Sequence, residues 1–241
     1  MKLLKHSIMA LGLTASVLSL VSCNDDYDMY TNIRPTALVT VYPSTTDGFT
    51  MQLDDATTLV PTNMKASPFG NKQVRALINY NYESQTNGSV RNVHVNWIDS
   101  IRTKQPVQTT DNDDKAFGND PIEIVRDWVT VAEDGYLTLR IRTLWGGRKT
   151  HFVNLVSGVN KNNVYELTLR HNANGDAAMH MGDALIAFNL NALWPNAGKE
   201  VKIKLNWTSF SGTKSIELPL TMHRTPASVI TERAQFGKCV E

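Results

Sequence analysis

Apolar and polar residues alternate with a period of two along most of the chain from Thr36 onward. Phe49, Met51 and Leu53 alternate with Thr50, Gln52 and Asp54, and Val74, Ala76, Ile78 and Tyr80 with Arg75, Leu77, Asn79 and Asn81. Val93, Val95 and Trp97 repeat the pattern against Asn92, His94 and Asn96. Side chains two apart lie on one face of a strand, so each run predicts a strand with one dry face. Polar breaks at 45–48 and 83–89 separate the runs and predict an antiparallel meander or small barrel. The alternation stops between Pro106 and Pro121. Residues 108–114 are all polar and Gly118-Asn119-Asp120-Pro121 is turn chemistry, so 108–120 reads as a linker between domains at 36–107 and 121–241.

The second half resumes over 122–131, 136–145, 150–156, 164–171, 184–190, 201–207 and 216–222, about seven strands at the spacing of an antiparallel β-sandwich. Glu133-Asp134-Gly135 and Trp145-Gly146-Gly147-Arg148 read as hairpin turns. Val201, Ile203, Leu205 and Trp207 face one way while Lys202, Lys204, Asn206 and Thr208 face the other. The stretch 183–193 has room for a turn or two of helix, but the spacing of Ile186, Phe188 and Leu190 favours a strand. The fold class predicted is all-β.

The first residues change the picture of where such a chain works. Lys2 and Lys5 precede an apolar run from Ile8 to Val21, which has the form of a signal peptide over 1–22 and is too short to span a bilayer. Leu20-Val21-Ser22-Cys23 resembles the lipobox of bacterial lipoproteins, which implies cleavage before Cys23 and acylation of its sulfur. Two or three acyl chains make a stable anchor where one is marginal. Residues 23–35 form an acidic tether through Asn24-Asp25-Asp26-Tyr27-Asp28, similar to the export tags of Bacteroidota surface lipoproteins. The implied location is the outer membrane, on the cell surface or facing the periplasm.

Removing 1–22 leaves 22 basic against 23 acidic residues, a net of −1. With no basic cluster either, nucleic acid is not an expected partner. Cys23 and Cys239 are the only cysteines, so lipidation of the first leaves the second without an intramolecular partner.

Several segments in order carry a family resemblance: 37–41 (Ala-Leu-Val-Thr-Val), 52–59 (Gln-Leu-Asp-Asp-Ala-Thr-Thr-Leu), 95–99 (Val-Asn-Trp-Ile-Asp), 119–124 (Asn-Asp-Pro-Ile-Glu-Ile), 143–147 (Thr-Leu-Trp-Gly-Gly) and 166–173 (Glu-Leu-Thr-Leu-Arg-His-Asn-Ala). Together they resemble the NigD-like lipoproteins of Bacteroidota. The resemblance implies an OB-like barrel followed by a β-sandwich, and a family name taken from bacteriocin immunity. An OB barrel places a helix between its third and fourth strands, and 83–90 is too short and polar to supply one. The first domain is then either a reduced OB-like barrel or a curved meander.

No GxSxG, HExxH, P-loop or GxGxxG motif occurs, so a non-enzymatic role without a cofactor is expected, ahead of a hydrolase with dispersed residues. His171 and His180 with Met179 and Met181 suggest copper chemistry, and Asp111, Asp113 and Asp114 calcium chemistry. A strand end with a loop, and a solvated linker, account for these better, and no metal site is assigned. Trp97, in phase with Val93 and Val95, reads as core. Trp145 beside its glycine turn, with Arg148, is the candidate binding site, whether as a sugar-stacking platform or as a protein anchor. The function expected is capture of an extracytoplasmic partner, a protein such as a bacteriocin or alternatively a glycan, by a protein held at the membrane through Cys23.

Overall fold

The computed structural model describes residues 34–44, 48–83 and 88–223. The signal peptide, Cys23 with most of its tether, and Cys239 lie outside them. Strands β1 (Ala37–Pro43), β2 (Phe49–Gln52), β3 (Thr58–Pro61), β4 (Val74–Tyr82) and β5 (Val90–Ser100) close in the order β1-β2-β3-β5-β4, β4 returning to β1. Period-two alternation puts Val39, Val41, Met51, Leu59, Ile78 and Val93 inside, all fully buried. Closure makes this a five-stranded OB-like barrel and removes the meander alternative. The third-to-fourth connection is 62–73, which makes turns where an OB barrel carries its helix, and 83–89 joins β4 to β5. The four-residue β3 ends in proline and is too short to register as alternation, which is why the sequence miscounts the strands.

Trp97 departs from expectation because β5 is bulged. Asn79 lies opposite Trp97 but Tyr80 opposite Val95, so Asn96 is an extra residue. Beyond it the phase reverses. Ile98 packs on the barrel core and Trp97 is half-buried outside that cluster.

The sandwich begins one residue after β5. One sheet contains β6 (Arg102–Lys104), β8 (Glu123–Val125), β9 (Val131–Glu133), β10 (Tyr136–Trp145) and β13 (His180–Asn189), in the order β6-β13-β10-β8 with β9 also on β10. The other contains β7 (Val107–Gln108), β11 (Phe152–Ser157), β12 (Glu166–Asn172), β14 (Glu200–Ser209) and β15 (Gly212–Thr221), in the order β15-β14-β12-β11-β7. Leu137, Leu139, Leu155, Leu167, Leu169, Phe188, Ile203 and Leu205 fill the space between them. Each such burial is worth about 1.5–3 kcal/mol.

Three local expectations are corrected. The 122–131 segment is two strands, β8 and β9, separated by the loop 126–130, because Asp127 Oδ1 accepts from the backbone N–H of Val129 and Thr130 and turns the chain out. The 145–148 turn is no hairpin, since β10 and β11 belong to different sheets. Glu133-Asp134-Gly135 does form one, with Glu133 opposite Tyr136 and both central residues at positive φ. The polar stretch 108–120 is folded onto the sandwich: β7 pairs with β11, the short helix α1 (Asp113–Phe117) follows, and Arg170 on β12 binds Asp114 at 2.5 Å and Asn119 at 3.0 Å. Its polarity comes from surface hydrogen bonding, not from freedom.

Barrel and sandwich share a buried boundary. Leu38 and Ile101 pack on Ala187, with Leu77, Val131 and Leu185 around them. Beside this apolar patch Arg75, fully buried, donates to Thr40 Oγ1 at 2.8 Å, Thr138 Oγ1 at 3.3 Å and Glu133 Oε1 at 2.5 Å.

Candidate functional site

The edge strands β8 and β15 of the two sheets leave a slot between them. At one end Glu123 closes it by accepting from Ser209 Oγ at 2.7 Å and Lys214 Nζ at 3.0 Å. At the other, the Gly135 N–H donates to the Thr221 carbonyl at 2.7 Å. Between these ties lies a cleft of about 580 Å³ whose walls include Ile124, Leu139, Leu205, Trp207, Ile216 and Leu218. Its mouth is charged, with Glu123, Arg126, Asp127 and Lys214. Two large exposed apolar residues stand in the segments that border it. Trp128, 55% exposed, sits in the 126–130 loop that supplies Arg126, Asp127 and Thr130, and Phe210, 43% exposed, tips the β14–β15 hairpin and donates its N–H to Glu123. Trp207, only 7% exposed, has an indole N–H with no acceptor among the described residues. A buried donor left unmatched costs about 1–3 kcal/mol, so an acceptor brought within reach of it would be stabilising.

The sequence points instead to Trp145 and Arg148. Trp145 is half-buried: its ring stacks on His151 at 4.1 Å, its Nε1–H donates to the Gly182 carbonyl at 2.9 Å, and a Cβ at Gly182 would lie 2.7 Å from the indole. One face and the polar edge are therefore engaged internally. Arg148 is exposed, and its backbone N–H helps those of Gly146 and Gly147 hold the Asp176 carboxylate at 3.3, 2.7 and 3.1 Å. The Asp176 side chain is 1% exposed and also meets His151 Nε2 at 3.3 Å, while His151 Nδ1 meets His171 Nε2 at 2.9 Å. Burial would raise the Asp176 carboxyl, but the N–H groups of Gly146, Arg148 and Ala177 and the His151 ring outweigh it and hold the group at about 2. Burial, then the neighbouring His151, pushes His171 below the ordinary histidine range.

These contacts account for the other candidates. His171 is buried against His151, while His180 is exposed opposite Trp145. Asp113 accepts from Thr109 and Thr110, and Asp114 from Arg170. Among the described residues no group of three or more His, Cys, Asp or Glu side chains is arranged to hold a metal.

A second depression, of about 470 Å³, lies where barrel and sandwich meet. Gln73, Asn189, Asn191, Trp194 and His223 line it. Gln73 and Asn189 donate to the Tyr136 hydroxyl at 2.6 and 3.1 Å, and Asp134 is bound by the Tyr42 hydroxyl at 2.7 Å and His223 Nδ1 at 2.5 Å. Its surface is amide-rich with one indole.

Comparison with known proteins matches both halves of the chain. Residues 38–101 fit the NigD-like N-terminal OB domain and residues 105–220 the NigD-like C-terminal beta sandwich domain. The chain belongs to the NigD-like family. The two matched segments divide between Ile101 and Gln105, where β5 gives way to β6. Among solved structures the NigD-like chain is similar to a protein of Parabacteroides distasonis described as toxin-related, at 28% identity over 83% of this chain and 97% of that one, TM-score 0.63. It shares its fold with a NigD-like immunity protein of Bacteroides caccae (22% identity, 75% and 90% covered, TM-score 0.53) and a protein of Bacteroides fragilis described as a lipoprotein (14%, 79% and 98%, TM-score 0.56). No curated protein matches it. Among the described residues no helix is long and apolar enough to cross a membrane.

Sequence reasoning passes over Trp128 and the cleft. The signal for the loop is local, an Asp127 two and three residues before the N–H groups it caps, inside what otherwise reads as one strand. The cleft itself requires knowing which strands lie at the edges, and that is a property of topology.

Proposed function

We propose that this NigD-like chain is a non-enzymatic lipoprotein, anchored through Cys23, that captures a protein partner outside the cytoplasm, as an immunity protein does. The observation that carries this reading is the sandwich edge: two exposed aromatic side chains beside an apolar cleft with a charged rim, the anatomy of a protein-binding hot spot. The names of its structural neighbours, one an immunity protein and one a lipoprotein, support the same reading. A lipid tether raises the local concentration of such a surface without new contacts.

The test is deletion and re-expression in the native host, scored for sensitivity to bacteriocins of related strains. The intact chain is expected to restore protection and Cys23→Ala to lose it. Trp128→Ala, at equal protein level, is expected to weaken capture by about 2 kcal/mol or more, roughly 30-fold. Unchanged sensitivity on deletion would remove the immunity role.

A second reading, capture of a glycan, is favoured by the junction groove, where Trp194 offers a ring and Gln73, Asn189 and Asn191 offer planar amides. Loss of growth of the deletion strain on a purified polysaccharide, restored by the intact chain but not by Trp194→Ala, would promote it.

A further inference from the structure

The register of β15 says how the cleft would be filled. The hairpin has a two-residue loop, Phe210-Ser211, closed by Ser209 opposite Gly212, and the pairing runs on through Trp207 with Lys214, Leu205 with Ile216 and Ile203 with Leu218. A two-residue hairpin closes on a hydrogen-bonded pair, and such pairs recur at every second residue. Lys214, Ile216 and Leu218 therefore direct their N–H and C=O groups at β14. Thr213, Ser215 and Glu217 direct theirs away from it, and β15 is the last strand of its sheet among the described residues. Pro219 has the same outward phase but no N–H, so the usable edge stops at Glu217.

Resting on the reading of this edge as the contact surface, we infer that the partner supplies an extended segment that pairs with β15 over Thr213–Glu217. A strand added there continues the pleat, so its alternate side chains enter the cleft beside Ile216 and Leu218, which are half-buried at its wall. The walls require apolar groups. The unmatched Trp207 N–H requires that one of them end in an acceptor, as the oxygen of a tyrosine does. At the rim Lys214 is paired with Glu123 and Asp127 with Arg140. Arg126, exposed, forms no ion pair among the described residues, which calls for a carboxylate on the segment.

The probe is the blocked peptide acetyl-Thr-Val-Thr-Tyr-Thr-Asp-amide, whose Val, Tyr and Asp share one face, with a second in which Val and Tyr are exchanged, added to ¹⁵N-labelled residues 24–241. Before addition, the Thr213, Ser215 and Glu217 amides should exchange faster than those of Lys214, Ile216 and Leu218. With one of the two peptides the Trp207 indole resonance should shift, and exchange at Ser215 and Glu217 should slow at least tenfold. Ser215→Pro removes an outward N–H and should abolish binding. A peptide methylated at its backbone nitrogens should fail against the unaltered protein, a control that does not depend on the variant's folding. Trp207→Phe should weaken binding about tenfold. Three results would overturn the inference: no shift with either peptide at millimolar concentration, a shift of cleft side chains without protection of the edge, or protection that grows with protein concentration alone, which means a second copy occupies β15. Should the peptides fail while Trp128→Ala still weakens capture in the host, the surface stands and the strand addition falls.

Discussion

Arg75 is fully buried and has donors directed at Thr40, Thr138 and Glu133, while its guanidinium carbon lies 5.9 Å from the centre of the Tyr136 ring. Removing one partner of a buried pair leaves the other charge or its polar shell unmatched, so Arg75→Ala is expected to cost about 3–5 kcal/mol, read by denaturant unfolding. In the sequence Arg75 falls on the wet side of β4. That assignment is right for the barrel alone, and only the presence of the second domain makes the wet side an interior. Asp176 sets a different expectation. Its folded value of about 2 lies below the ordinary 3.8, so the stability it contributes is complete above about 3.8 and is lost as pH falls through about 2. His171, also lowered, adds a loss with the same sign as pH drops below 6.5, because protonation then favours the unfolded chain. Thermal melts between pH 7 and pH 2 should show the decline, and Asp176→Asn should flatten its lower part. A melting temperature independent of pH over that range would contradict both assignments.

At the level of elements, alternation reveals strands well where one face is dry and the strand is long. β10, β14 and the start of β4 are legible because apolar side chains every second residue have no other low-energy arrangement. Short pieces such as β3, β6 and β7 escape, since two to four residues carry less than a full repeat. The bulge at Asn96 escapes because inserting a residue alters pairing without altering composition. Close backbone approaches are equally silent. Gly182 on β13 accommodates the Trp145 ring opposite the space a Cβ would occupy, so Gly182→Ala should move the indole. Loss of about 1–3 kcal/mol and a changed tryptophan emission are expected, as for overpacking elsewhere. An unchanged spectrum would show that the ring does not rest there.

In the whole molecule, the buried boundary around Leu38, Ile101 and Ala187 joins barrel and sandwich into one body, and 108–120 offers no loose joint. Calorimetry of the mature chain is therefore expected to give a single cooperative transition, and limited proteolysis should yield no separate barrel and sandwich fragments. Early cleavage between Gln108 and Asn119 would restore the linker. The two-domain division was legible in the sequence because motif order and strand spacing carry it; the rigidity was not, because it depends on pairings across the chain. One of these pairings imposes an order on folding. β6, at 102–104, needs β13, at 180–189, as its neighbour, whereas all five barrel strands end by Ser100. Until a segment about 80 residues further along has joined, the barrel's future contact face meets water, and the Arg75 charge that is costly in the finished interior keeps that face soluble while it waits.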